Sequence, residues 1–206
     1  MAMEDQYKSI ESPAEGLFKD KGSRFIAFAL PVRDETDIKE ALERLRKEYH
    51  DARHICFAWR IGVDGGRETA GGGTPVGKWR LSDDGEPSGT AGRPILGQID
   101  SYGLSDILIA VVRYFGGIKL GVPGLINAYR SAAADALARA CVCNKVACES
   151  LTGTFPYERM GEVMKRTKAG GDIRILDLSV DTPCRITLSV PRSQADAWHT
   201  FLQELG

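Results

Sequence analysis

The chain has 206 residues, 43% of them apolar and 27% charged, with a formal net charge of −1 at pH 7. That balance supplies a core for one or two domains and excludes a chain held open by charge. It also excludes binding of duplex nucleic acid through a bulk basic excess, so any nucleic-acid site must be local, made by a few placed arginines.

After a short extended opening, Ser23–Val32 reads as a strand with two apolar faces: Phe25, Ala27 and Ala29 alternate with Ile26, Phe28 and Leu30, so it is expected to be covered on both sides. A helix is predicted over 34–49, with Ile38, Ala41, Leu42, Leu45 and Tyr49 on one stripe and acids in its first turn. Arg53–Val63 reads as a strand with Ile55, Phe57, Trp59, Ile61 and Val63 on one face and His54, Cys56 and Arg60 on the other. A Gly-rich turn at 62–73 leads to a short strand near 76–82. Thr90–Tyr102 is a predicted helix capped by Ser88 or Thr90. Asp106–Phe115 is an apolar central strand. Pro123–Cys141 is an Ala-rich helix with Pro123 at its first position and Leu125, Tyr129, Ala132, Ala136 and Ala140 inward. After Asn144 the order reads βαββα: a strand at 149–155, a helix at 157–167, a hairpin of 173–180 with 184–190, and a helix at 193–205. The domain boundary is set there, giving 1–144 and 145–206.

No run of about 18 apolar residues exists, and the first ten residues lack the layout of a signal peptide. A cytoplasmic protein without membrane contact is expected, and the oligomeric state is left open. Of the five cysteines, Cys141, Cys143 and Cys148 lack zinc-site spacing, so buried or incidental thiols are the preferred reading. Gly72–Lys78 nearly spells a phosphate-binding loop, but Trp79 stands where a magnesium-holding hydroxyl is required and Pro75 removes an N–H, so the match is accidental. His54 and Cys56 stand side by side on one strand, which suits packing better than proton transfer; His54 is read as structural.

Function concentrates in two Gly-rich turns flanking the apolar strand: Ser82–Gly92 and Arg113–Gly121. Such turns let the backbone approach a ligand closely. Each opens a helix, whose free N–H groups and positive dipole end favour anions. Ser88, Thr90, Arg93, Arg113, Gly116, Gly117, Lys119 and Arg130 are the candidate binding residues. Asp83, Asp84 and Glu86 form a candidate Mg²⁺ set, against which stands a plain tight turn with Gly85 at positive φ; no other cofactor is expected. Arg113 ends a buried strand. Either it pairs with Asp83, Asp84 or Glu86, or it is an anion ligand.

On Lys21–Ile26, Asp51–His54 with Ala58-Trp59, Ser82–Pro94 and Val111–Gly121, the chain resembles the IMPACT/YigZ family. The resemblance covers about residues 17–142, and the remainder in layout. It implies an α+β protein of two domains: a first domain similar to the ribosomal protein S-five domain-two-like fold, and a ferredoxin-like second domain whose last strand is missing. It adds Trp59, beside His54, as a structural or site residue. Eukaryotic members act as translational regulators, competing for the activator of an amino-acid-sensing kinase. For a bacterial member, RNA or ribosome contact is an inference from fold. One departure stands out: Val122-Pro123-Gly124 replaces the usual Thr-Gly-Gly, removing a hydroxyl and an N–H from the second anion cradle. The expected function is a translation-associated regulatory or binding protein, not an enzyme, contacting RNA, the ribosome or a translation factor. The alternative is a Mg²⁺-dependent enzyme acting on a small phosphorylated substrate.

Overall fold

The computed structural model describes residues 5–62 and 77–206. Val63 and most of the phosphate-loop-like stretch lie outside the described residues. The described chain forms two compact units: Tyr7–Asn144, and Lys145–Gly206 together with Asp5 and Gln6.

In chain order the first elements are β1 (Gln6–Ile10), β2 (Ala14–Asp20), β3 (Ser23–Pro31), α1 (Glu35–Glu48), β4 (His54–Ile61), β5 (Lys78–Ser82), α2 (Gly92–Tyr102), β6 (Ile107–Tyr114), α3 (Gly121–Arg139) and β7 (Val142–Val146). Five strands make an antiparallel sheet in the order β2-β3-β6-β4-β5, and β1 pairs with β7 in a separate ribbon. β6 holds the centre because both its faces are apolar. Ile107, Ile109 and Val111 enter one core layer, and Leu108, Ala110 and Val112 enter the other. α1 covers the second layer through Ile38 and Leu45. Asp34 caps α1 by accepting the N–H groups of Thr36 and Asp37. α2 and α3 cover the first layer with Ile95, Ile99, Tyr129 and the alanines of α3.

Small residues set how closely α3 approaches the sheet. A Cβ on Gly16 of β2 would lie 2.8 Å from the Ala132 carbonyl oxygen and closer still to the Ala136 nitrogen. α3 starts at Gly121, two residues before the expected Pro123. Proline is tolerated there because first-turn N–H groups have no helical partner. The opening piece proves to be two strands, and β7 was not expected. Its partner β1 is distant in sequence, so no local pattern announces it.

The smaller unit contains β8 (Cys148–Phe155), a 3-10 turn at Tyr157–Arg159, α4 (Met160–Ala169), β9 (Arg174–Ser179), β10 (Cys184–Pro191) and α5 (Arg192–Leu205). This is the expected βαββα order. The sheet is antiparallel in the order β8-β10-β9, with no fourth strand among the described residues. Phe155, Val163, Ile186, Leu188, Trp198 and Phe201 make its core. The Asp5 carboxylate accepts the Ser193 N–H at the start of α5 (3.0 Å), so these N-terminal residues cluster with this unit.

Gly16→Ala should destabilise the protein by about 1–3 kcal/mol, because backbone atoms on α3 must move. Gly97→Ala, in α2 with nothing near its would-be Cβ, should stabilise by up to about 1 kcal/mol. Urea unfolding of the two variants against wild type checks both.

Candidate functional site

Across three central strands Arg113 lies opposite Phe25 on one side and His54 on the other. Strand alternation places it on the face of Ile109 and Val111, the one covered by α2 and α3. Its guanidinium donates to Glu86, and the two side chains are only 9% and 4% exposed. Glu86 is thus the partner among the three acids. Tyr129 of α3 donates its hydroxyl to the same carboxylate (2.9 Å). The Cys56 thiol lies 3.3 Å from that hydroxyl and 3.0 Å from the Asp83 carbonyl oxygen. Burial pushes the Cys56 thiol up to about 12, so it stays protonated and is no nucleophile. Burial likewise pushes the Tyr129 phenol up, keeping it a donor.

The other two carboxylates of the acidic turn face elsewhere. Asp83 accepts the N–H groups of Gly89 (2.8 Å), Ala91 (2.9 Å) and Gly92 (2.8 Å). Asp83, and not Ser88 or Thr90, therefore caps α2; the Thr90 hydroxyl donates to the Pro87 carbonyl (2.6 Å). Burial alone would raise the Asp83 pKa, but these three N–H groups outweigh it and hold it below the usual range. Asp84 sits at φ 41 and Gly85 at φ 85, the reversal that Gly85 was expected to supply. Asp84 accepts the Ile55 N–H (2.7 Å) and an Arg46 N–H (2.9 Å). Its carbonyl accepts from His54 Nδ1 (2.8 Å); a carbonyl cannot donate, so Nδ1 carries the proton. Asp83, Asp84 and Glu86 engage three different sets of protein donors, and no group of His, Cys, Asp and Glu among the described residues is arranged to hold a metal.

Beside the buried pair lies a cleft of about 720 Å³ lined by His54, Glu86, Arg113, Phe115, Lys119 and Val122, among others. Asp51 and Arg53, just before β4, also line it. Asp51 accepts the Tyr114 hydroxyl (2.7 Å), a bond that holds its carboxyl below the usual range. The second Gly-rich turn is set by backbone approach. Gly116 donates its N–H to the Ser23 hydroxyl (3.1 Å), and the Gly22–Ser23 backbone leaves no room for a Cβ on it. Gly117 sits at φ 90. Phe115 and Ile118 in the turn and Val122 at the start of α3 are exposed at 57%, 56% and 52%.

The structure thus brings Arg113, Lys119, Glu86 and His54 to one cleft, while Gly116 and Gly117 shape the turn between Phe115 and Lys119 without lining it. Ser88, Arg93 and Arg130 are exposed but do not line it. Trp59 is a core residue in the layer covered by α1. Arg53 and Phe115 were not singled out as site residues; the available signal was their place beside His54 and Gly116 in the matched segments.

Fold and cleft together define a two-unit α+β protein with a mixed cationic and apolar cleft, built from loops at one end of an antiparallel sheet. Residues 21–137 match the family model of the Impact N-terminal domain. IMPACT family member YigZ of Escherichia coli (strain K12) is 36% identical over 72% of this chain and 69% of that protein. Protein IMPACT homolog of Saccharomyces cerevisiae is 32% identical over 59% of this chain and 43% of its own length. The crystal structure of a hypothetical protein, 28% identical, superposes with a TM-score of 0.72 over 97% of this chain and 92% of that one. The chain belongs to the IMPACT family.

Removing one partner of a buried pair leaves a charge uncompensated, at about 3–5 kcal/mol. Arg113→Met and Glu86→Leu should each lower the melting temperature sharply, and the double variant should recover much of the loss. Asp83→Ala should cost about 1–2 kcal/mol as a lost helix cap. The Asp83 pKa is depressed in the folded state, so its contribution is full above the unfolded carboxylate value of about 3.9 and fades as pH falls through the folded value. The gap between wild type and Asp83→Ala should therefore close on acidification, as denaturation followed across pH would show.

Proposed function

We propose that this chain is a translation-associated regulatory protein of the cytoplasm that binds RNA, the ribosome or a translation factor through the Gly-rich loop face of the Tyr7–Asn144 unit. Family membership supports the reading, since the sequence resemblance implies translational regulation for eukaryotic members. The observation that carries it is the composition of the loop face. Phe115 and Ile118 of the second turn and Val122 at the start of α3 stand exposed, next to Lys119 and near Arg53, both exposed. The core needs none of these side chains, and apolar and aromatic groups set beside cations suit a docking surface. The enzymatic alternative loses support because the acidic turn's carboxylates are engaged within the protein. No helix among the described residues is long and apolar enough to cross a membrane.

Purified protein sedimented with ribosomes and total RNA at low salt should associate. With few cations on the face, the log–log salt slope should be shallow, on the order of −2 to −3. Phe115→Asp combined with Lys119→Glu should abolish association without changing the melting curve. Absence of any association at low salt with ribosomes, RNA or translation factors would remove this reading.

A further inference from the structure

We infer that the cleft beside Arg113 is a binding site for a phosphorylated nucleotide, its phosphate held at Arg113, Lys119 and the start of α3 and its base laid on Phe115. This rests on the loop face being the binding surface, as proposed above, and names the chemistry that the face takes.

The first observation is Arg113 itself. A guanidinium carries five N–H donors. Among the described residues Glu86 is the sole hydrogen-bond acceptor for Arg113, and Nε has no partner. The side chain is more than nine-tenths buried and lines the cleft. A buried donor left unmatched, as Nε is, is costly, and an oxyanion in the cleft offers the guanidinium acceptors beyond those of Glu86. The second observation is independent. Gly121 and Val122, the first residues of the 19-residue helix α3, line the same cleft, and no side chain among the described residues caps this end. Their N–H groups have no partner within the helix, and the dipole there favours an anion. Pro123 contributes no N–H, so the cradle is two backbone donors, with Lys119 beside them.

Charge is consistent with an anionic ligand. Arg53, Arg113 and Lys119 line the cleft with Asp51 and Glu86, leaving one cation in excess. Glu86 is matched by Arg113 and receives the Tyr129 hydroxyl as well. Lys119 and Arg53 enter no ion pair among the described residues. The volume of about 720 Å³ falls within the few hundred to about 1,000 Å³ of small-ligand sites. Phe115 supplies the aromatic half. It is 57% exposed, and the Arg113 guanidinium lies 5.7 Å from its ring centroid. An exposed ring beside a guanidinium and backbone anion donors is the combination on which bases stack. A nucleotide brings the matching pair of features, a planar ring and a phosphate. A free mononucleotide and the phosphorylated end of an RNA strand share that chemistry.

Titration of the full chain by two-dimensional NMR and calorimetry at low salt, with inorganic phosphate, AMP, adenosine and a short RNA with and without a terminal phosphate, tests this. AMP should bind at least about tenfold more tightly than adenosine, a difference of about 1.4 kcal/mol, and its shifts should centre on Phe115, Lys119 and Val122. Lys119→Ala should weaken inorganic phosphate and AMP alike by several-fold. Phe115→Ala should weaken AMP while leaving inorganic phosphate unchanged. Tighter binding of phosphorylated RNA than of AMP assigns the strand end as the ligand, and the reverse order assigns the free nucleotide. No binding of phosphate or AMP in the millimolar range, or equal binding of AMP and adenosine, overturns the inference. Ribosome association that persists in that event leaves the proposed function standing, so the two can fail separately.

Discussion

Arg113 ends a strand that is apolar along its length, and a guanidinium in such a place must bring its counter-charge with it. Much of the architecture around the cleft follows from meeting that need. Glu86 can reach Arg113 because the chain reverses through Asp84 and Gly85, both at positive φ. Asp84 adopts a conformation unusual for a residue with a Cβ, and its carboxylate and carbonyl bind Ile55, Arg46 and His54 while it does so. The same turn carries Asp83 to the start of α2, where it takes three N–H groups. Tyr129 then ties α3 to the pair. Turn, sheet and both helices are thus joined by one buried polar network, whose members depend on one another more than a list of single bonds suggests.

The network explains why four separated stretches of sequence behave as one motif. Gly22 and Ser23, Asp51 to His54, Ser82 to Gly92, and Arg113 to Gly121 all meet at the same end of the five-stranded sheet. Some of their residues are there for backbone approach, as with Gly116 against Gly22 and Ser23. Others make the buried pair. A third group, Phe115, Ile118, Lys119 and Val122, faces outward and has no part in holding the fold. That division separates frame from surface. The frame is held by the bonds its members share, whereas the outward residues take no part in them.

The acidic turn shows how composition can mislead. Asp83, Asp84 and Glu86 suggest a cation site when written side by side, because a metal needs several carboxylates. Adjacent residues in a tight turn project in different directions, and here each finds its own protein donors. Their bonds to Gly89, Ala91, Gly92, Ile55, Arg46 and Arg113 build the turn and tie it to the sheet.

Local pattern was enough for most of the elements, though not for the β1–β7 ribbon. The apolar run of 107–112 reads as a central strand, the stripe of Ile38, Leu42 and Leu45 as a helix on one face, and the alanines of α3 as a helix lying close to a sheet. The βαββα order after Asn144 was equally legible, as were the two Gly-rich turns that flank the central strand. These are properties of periods of two and 3.6 residues and of glycine's freedom, all contained within short windows. Which partner each residue meets was not legible. Nothing local says that Arg113 takes Glu86 over Asp83, that Asp83 caps a helix nine residues on, that β1 pairs with β7, or that Arg53 and Phe115 line one cleft. Those choices depend on strand register and helix placement, which bring distant residues together and leave neighbours facing apart. The sequence determined most of the elements and the chemistry available, and the tertiary structure decided which of those groups are held in the frame and which remain exposed, because only strand register and helix placement bring distant residues together.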